Sequence, residues 1–440
     1  MPEPRVTGTH SCADHPQHLA RGLPGANATR DIAQAQAEVL ALVTADVRIS
    51  RYGIRTPPAT RQCPAGDNPG MSPTQHVDVA IVGGGVIGIA IAYFLAQRGG
   101  KPLVIEGTEV AHGASGKSAG LLSPGLPHDA DATGALPPLI ARSLELHRAV
   151  ADLLDGPSTY DYTRYTTCLA ARTEEEASQL YERADELSAE PIPAGEVAER
   201  CPWLDRPVAG GLAQSTAQVD SAKFTARLLE SAQSMGASLR MGRAVGLVGG
   251  TDYVEGVELD DGIVRAEATV LAMGPWSVRA AAWLDLPLPV RPLKGQIVHL
   301  EPSEPAPPGG FSDMHGHYVV TRPTGLVHAG TTEEEEGFDA EPTEAARDYI
   351  LETLGQYTSR LGAMRVVDQT ACLRPVSGDG LPLIGPAPGR RGAYLATGHG
   401  RKGIVLSLAT AEALVELLTE GRSTRVDLAP FDPARFGREP

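Results

Sequence analysis

The sequence predicts an α/β protein of two interleaved parts, one built on a parallel sheet and the other on an antiparallel sheet, and three observations predict it. Within residues 76–106 a short apolar β run meets a glycine turn, a helix and a second strand. Strand-like runs then recur with helical stretches between them, and the last pair repeats the strand, glycine and helix order of the first. The chain has 440 residues, 42% apolar and 21% charged, so it can fill two or three domain cores and is far from the composition of a disordered protein.

Residues 1–75 are expected to form a mostly disordered extension. They are rich in Ala, Pro, Thr, Arg and Gly, offer one weak helix at 34–43, and become turn chemistry from 55 to 73. Met71 is a candidate true start. The strand that follows carries Val77, Val79, Ile81 and Val82, and its turn reads Gly83-Gly84-Gly85-Val86-Ile87-Gly88, a G-x-G-x-x-G. Gly83 permits the tight turn, Gly85 lets backbone approach a pyrophosphate, and Gly88 lets the helix pack closely on the strand. The pyrophosphate then sits on the unpaired N–H groups and positive dipole end of that helix. Glu106 ends the second strand, 23 positions after Gly83, where a carboxylate accepts hydrogen bonds from both ribose hydroxyls. This is a Rossmann-like dinucleotide unit.

Farther on, 221–235 reads as a helix with Phe224, Leu228 and Leu229 on one face, and Asp220 as its N-cap. Residues 244–248, 253–259 and 263–266 read as a β-meander, and 268–274 as a separate buried strand ending at Gly274. Strands at 296–300, 318–321 and 326–330 belong to another sheet, while 393–397 leads through glycines into a helix at 404–418. The dinucleotide domain is therefore expected at 76–155, 212–288 and 366–425, the substrate domain at 156–211 and 289–365, and a tail at 426–440.

A net charge of −16 argues against nucleic acid or an anionic membrane surface as partner. No apolar run reaches the ~20 residues that span a bilayer. The five cysteines are scattered without C-x-x-C spacing, which indicates neither a disulfide framework nor a zinc site, so a reducing cytoplasm is expected. His315-Gly316-His317 lacks carboxylate or cysteine partners in sequence and reads as a strand edge rather than a metal site, and 333–336 (EEEE) as a solvated loop.

Four motifs in order give the chain its resemblance to the D-amino-acid oxidase family of flavoproteins, over about 76–420. They are the glycine turn; 113–124 (GASGKSAGLLSP), similar to the family's small-residue loop beside the flavin; 373–385 (LRPVSGDGLPLIG), close to the glycine oxidase pattern; and 397–404 (TGHGRKGI), at the start of the last helix. The resemblance implies an FAD-binding Rossmann-like domain interleaved with an antiparallel-sheet substrate domain. It places Gly83, Gly85, Val86, Ile87, Gly88, Glu106, Ser115, Ser118, Ala119, Gly120, Leu121, Gly274, Cys372, Gly398, His399, Gly400, Lys402, Gly403 and Ile404 at the cofactor. The helix start at 398–403 independently suits a flavin, because free N–H groups stabilise the negative charge that reduction places near N1.

For the substrate, Arg374 matches the family's carboxylate-binding arginine, and Tyr318 resembles the glycine oxidase tyrosine that offers its hydroxyl to the same group. Gly-His-Gly-x-Lys at 398–402 is instead similar to the sarcosine oxidase-like branch, which implies that Lys402 shares the carboxylate. Arg401 faces either substrate or solvent. Gly400, in place of an aromatic residue, opens the pocket, so glycine itself need not be the best substrate. Cys372 has the spacing of the cysteine that carries the flavin covalently in sarcosine oxidase-like enzymes, while the flanking Leu-Arg-Pro resembles the non-covalent branch. The activity implied is FAD-dependent oxidation of glycine, a D-amino acid or an N-alkyl amino acid to an imine, with peroxide formed from oxygen. The alternatives are a dehydrogenase of the same fold that uses a quinone or partner subunit, and a flavin-bearing subunit of a modifying complex. Expected partners are a small amino acid or amine, an electron acceptor and further copies of the chain.

Overall fold

The computed structural model describes residues 75–125 and 133–437, so residues 1–74 of the expected extension at 1–75, with its weak helix and Met71, lie outside the described residues. The first sheet has a parallel heart in the order Ala393–Thr397, Gly262–Leu271, Gln75–Val82, Leu103–Glu106 and Ser238–Met241. Its first strand is buried from Val79 to Val82, because both sheet faces are covered. One face packs the glycine-turn helix Val86–Gln97 together with Leu136–Leu153, Ser221–Ser234 and Gly403–Glu420. The meander and the short helix Ala280–Leu284 cover the other face. Gly403–Glu420 is buried on every side from Ile404 to Glu416, which explains its lack of a polar stripe. Even its acids have partners inside: Glu412 receives Arg142 at 2.6 Å.

The second sheet runs Arg365–Ser377, Val290–Glu301, Val327–Gly330, Tyr318–Thr321, Gly310–Ser312, Thr163–Ala171, Gly210–Gln218 and Leu121–Leu122. All its neighbours are antiparallel except Gly310–Ser312 on Thr163–Ala171. Gly210–Gln218 and Arg365–Ser377 pair here, past the expected boundaries at 212 and 366, and Leu121–Leu122 adds a second-sheet strand inside 76–155. The cause is length: the 13-residue strand Arg365–Ser377 is held along Val290–Glu301 by an almost unbroken ladder before the chain returns to the first sheet. The expected break at 267 is absent, because Gly262–Leu271 is one strand pairing first with Val254–Leu259 and then with the parallel heart. Asp220 caps its helix as expected, accepting from the Lys223 N–H at 3.0 Å.

Candidate functional site

A cavity of about 430 Å³ is walled by both sheets. At one end stand Gly83, Gly85, Val86, Ile87 and Glu106, and at the other Ile297, Tyr318, Thr331 and Arg374. The glycines at the first end do different work. A Cβ on Gly83 would lie 2.3 Å from the Ala272 carbonyl oxygen, at a φ of +116° that disfavours any side chain. One on Gly88 would lie 2.0 Å from the Gly83 carbonyl oxygen. Both therefore close the strand-to-helix packing, and Gly88 is not on the cavity wall. Gly85 is the residue that opens the cavity: its added Cβ would meet only the Ser115 hydroxyl, at 3.2 Å. That hydroxyl accepts from the Val86 N–H at 2.9 Å and so joins the small-residue loop to the helix N-terminus.

Glu106 is held by its own turn. One carboxylate oxygen accepts from the Gly84 N–H at 2.7 Å, and the other accepts from the backbone and hydroxyl of Thr108 at 2.8 and 3.0 Å. A carboxylate has about four acceptor positions, so this pinned group keeps capacity for a diol. Ser118, Ala119 and Leu121 line the middle of the cavity with Gly274, His399, Gly400, Gly403 and Ile404. Gly274 and Gly400 have positive φ, and a Cβ on either would meet nothing within 4 Å, so both leave ligand space open. Burial lowers the His399 pKa to about 3, so the ring is neutral, with Nε2 3.1 Å from the Thr410 hydroxyl.

Besides Gly88, three of the expected cofactor residues do not line the cavity. Gly120 and Gly398 are off the cavity wall because their missing side chains make room for Val219 and for Leu383 with Ser377, respectively. Lys402 is off it as well. The neighbouring Arg401 does line the cavity; it donates to Glu333 at 3.1 Å and to the Gly316 carbonyl at 2.7 Å. Cys372 lies on the wall with its thiol pKa pushed up by burial, an effect opposed by Arg374 and Lys117.

Arg374 projects from the long edge strand and is 8% exposed. Its guanidinium donates to the Thr331 hydroxyl at 2.6 Å and the Thr332 carbonyl at 2.9 Å, both neutral acceptors. Among the described residues no carboxylate pairs with it, so Arg374 is a buried cation whose partners are neutral. Tyr318 stands beside it, buried, its hydroxyl without a hydrogen-bond partner among the described residues. Burial raises the tyrosine pKa, with Arg374 and Arg401 opposing, so the phenol stays protonated and able to donate. Sequence reasoning missed Gly295, across the ladder from Cys372: its Cβ would lie 2.0 Å from the Arg374 Nη2. A glycine inside a strand, as in Lys294-Gly295-Gln296, is the signal that marks such a close approach. Thr331 and Thr332 had no signal. His315-Gly316-His317, expected at a strand edge, is a braced turn leading into Tyr318–Thr321: Asp313 accepts from His317 Nδ1 at 2.6 Å and from both histidine backbone N–H groups at 2.9 Å, and His317 Nε2 lies 3.0 Å from the Tyr349 hydroxyl. No group of metal ligands occurs among the described residues.

The family model described as FAD dependent oxidoreductase, DAO, matches residues 78–417. A glycine oxidase from Geobacillus kaustophilus is 32% identical over 371 residues, spanning 82% of this chain and 98% of that protein. One from Pseudomonas putida is 31% identical, over 81% and 98%. The crystal structure of the Geobacillus kaustophilus enzyme superposes with a TM-score of 0.76 at 30% identity, over 83% of this chain and all of that one.

Proposed function

The chain belongs to the DAO family of FAD-dependent oxidoreductases, and from that premise we propose that it oxidises the C–N bond of a small amino acid, namely glycine, a D-amino acid or an N-alkyl amino acid. The observation that carries the substrate class is Arg374: a buried guanidinium satisfied only by neutral acceptors at the end of the cavity is an anion site, and a carboxylate fits its planar fork. FAD supplies the two-electron chemistry; Gly85, the helix start at Val86 and Glu106 would hold its dinucleotide half, and the turn at 399–403 would face the flavin.

The residues of the chain do the orienting. Arg374 binds the carboxylate in two parallel hydrogen bonds, and Tyr318 donates a third from its protonated hydroxyl. With the carboxylate fixed, the α-carbon is directed along the apolar wall formed by Ile297 and Cys372. No side chain is needed as general base once the amine binds neutral, and His399, neutral and tied to Thr410, is not placed to act as one. No helix of the described residues is long and apolar enough to cross a membrane. We propose a cytoplasmic enzyme with oxygen as acceptor and homo-oligomeric assembly. The test is peroxide release over a panel of free amino acids, set against dye reduction without oxygen. Peroxide with glycine, sarcosine or a D-amino acid supports the proposal; dye reduction without peroxide makes the protein a dehydrogenase, and silence with every amino acid overturns the substrate class.

A further inference from the structure

A second, smaller cavity of about 140 Å³ lies against the first, and the two share His112, Gly113, Ala114, Trp276, Arg279 and Cys372. Its walls combine an aromatic pair with cations. Trp276 and Phe338 stack with ring centroids 6.2 Å apart and planes 29° apart, and the Arg279 guanidinium stands 5.6 Å from the Phe338 centroid. Lys117 and Leu373 also line it. Among the described residues neither Lys117 nor Arg279 is ion-paired with a carboxylate, and no acidic side chain lines the cleft. In a chain of net charge −16, two cations without acids beside an aromatic stack form a local exception. Phe338 is 44% exposed, so this wall opens to solvent while Cys372, 7% exposed, forms its inner boundary with the main cavity.

We propose that this cleft binds a planar aromatic anion, specifically an anionic quinone that accepts electrons from the reduced cofactor, an inference that rests on the proposed amino-acid oxidation. A flat ring inserts beside Trp276 and Phe338, and its negative charge meets Lys117 and Arg279. The cleft shares walls with the main cavity, Trp276 and Cys372 among them, so a ligand there lies next to the cofactor site. When bound, the reduced cofactor would supply two electrons and one proton and solvent a second proton, so that the quinone would become its hydroquinone. The substrate enters at the Arg374 end and the acceptor at the Trp276 side, so the two need not compete.

The experiment is equilibrium dialysis of the full-length holoenzyme, without amino acid, against 2-hydroxy-1,4-naphthoquinone, which is an anion at neutral pH. Phe338→Ala and Lys117→Gln, both outside the carboxylate site, are each expected to raise the Kd about tenfold, the loss of one ring contact or one charge. The neutral 2-methoxy analogue is expected to bind the native protein more weakly, and added salt to weaken only the anion. In a second arm, anaerobic turnover with the best amino acid should reduce the quinone in the native enzyme and lose this activity in Phe338→Ala, while peroxide formation in air stays unchanged. Binding that survives both variants but disappears in Arg374→Ala would place the anion in the main cavity and overturn the proposal. So would equal affinity for the neutral analogue. The dialysis needs no amino acid, so a failure of the substrate reading shows only in turnover, and a failure of the cleft shows in binding.

Discussion

Replacing Gly295 by alanine inserts one methyl group under the guanidinium of Arg374. The new Cβ would lie 2.0 Å from Nη2, 2.1 Å from Cζ and 2.3 Å from Nη1, all inside van der Waals contact. With carbon contacts near 3.5 Å, the head group has to move by roughly 1.5 Å. It is fixed by the 2.6 Å hydrogen bond to Thr331 and the 2.9 Å bond to Thr332, and a shift of that size breaks or misaligns both. The carboxylate then loses a charge-assisted pair, a loss of about 2 to 4 kcal/mol, or about 30- to 1000-fold in kcat/KM. Most of the loss is expected in KM, because the carboxylate is bound before as well as during hydride departure. The assay is steady-state oxidation of the best amino acid by Gly295→Ala protein that carries its full flavin absorbance. Arg374→Lys in the same background supplies a control, since its smaller head group clears the methyl and should be hurt little by adding it. A flavin-loaded Gly295→Ala enzyme within threefold of native kcat/KM would refute the reasoning.

Gly85→Val should yield folded protein without yellow cofactor, because the side chain enters the cavity, where its Cβ meets only the Ser115 hydroxyl; full flavin absorbance would contradict the cradle. Arg374→Ala should lower kcat/KM for the best amino acid by about 2 to 4 kcal/mol, which steady-state kinetics of flavin-loaded protein measures. Stability should fall on mild acidification. His147 and His399 are buried neutral with folded pKa values of about 4 and about 3, below the value near 6.5 in the unfolded chain, so the unfolded state binds more protons between these limits. Their contribution is complete above about pH 6.5 and lost as pH falls toward the folded values; each should cost on the order of 2 kcal/mol at pH 5. Denaturant titrations of the native protein and of His399→Gln at pH 5 and 7.5 check this, and an equal acid loss in both would contradict the assignment to His399.

The dinucleotide half was legible because its signals are local: Gly83, Gly85 and Glu106 all lie within one strand, helix and strand. Even there the sequence treats alike what the structure separates, since Gly88 and Gly83 serve backbone packing while Gly85 opens the cavity. Gly120 and Gly398 stand out by their motifs, and the structure adds that each makes room for a distant part of the chain, a contact that leaves no trace in spacing. The strand Arg365–Ser377 was hidden by Pro375 and by its charges. It tolerates the proline because it is the edge of its sheet. Gly295 and Arg374 are 79 positions apart in sequence and meet only through the register of the two strands, which no single-sequence pattern specifies.

The central claim is that amino-acid oxidation depends on a carboxylate held by Arg374 while the cofactor takes the electrons. Its most direct measurement is anaerobic mixing of the flavin-loaded protein with glycine, sarcosine, D-alanine and, as partner compounds, methylamine and ethylamine, following flavin bleaching. The account predicts rapid bleaching by at least one amino acid and none by the amines at equal concentration. Bleaching by amines as fast as by amino acids, or by neither, would contradict it.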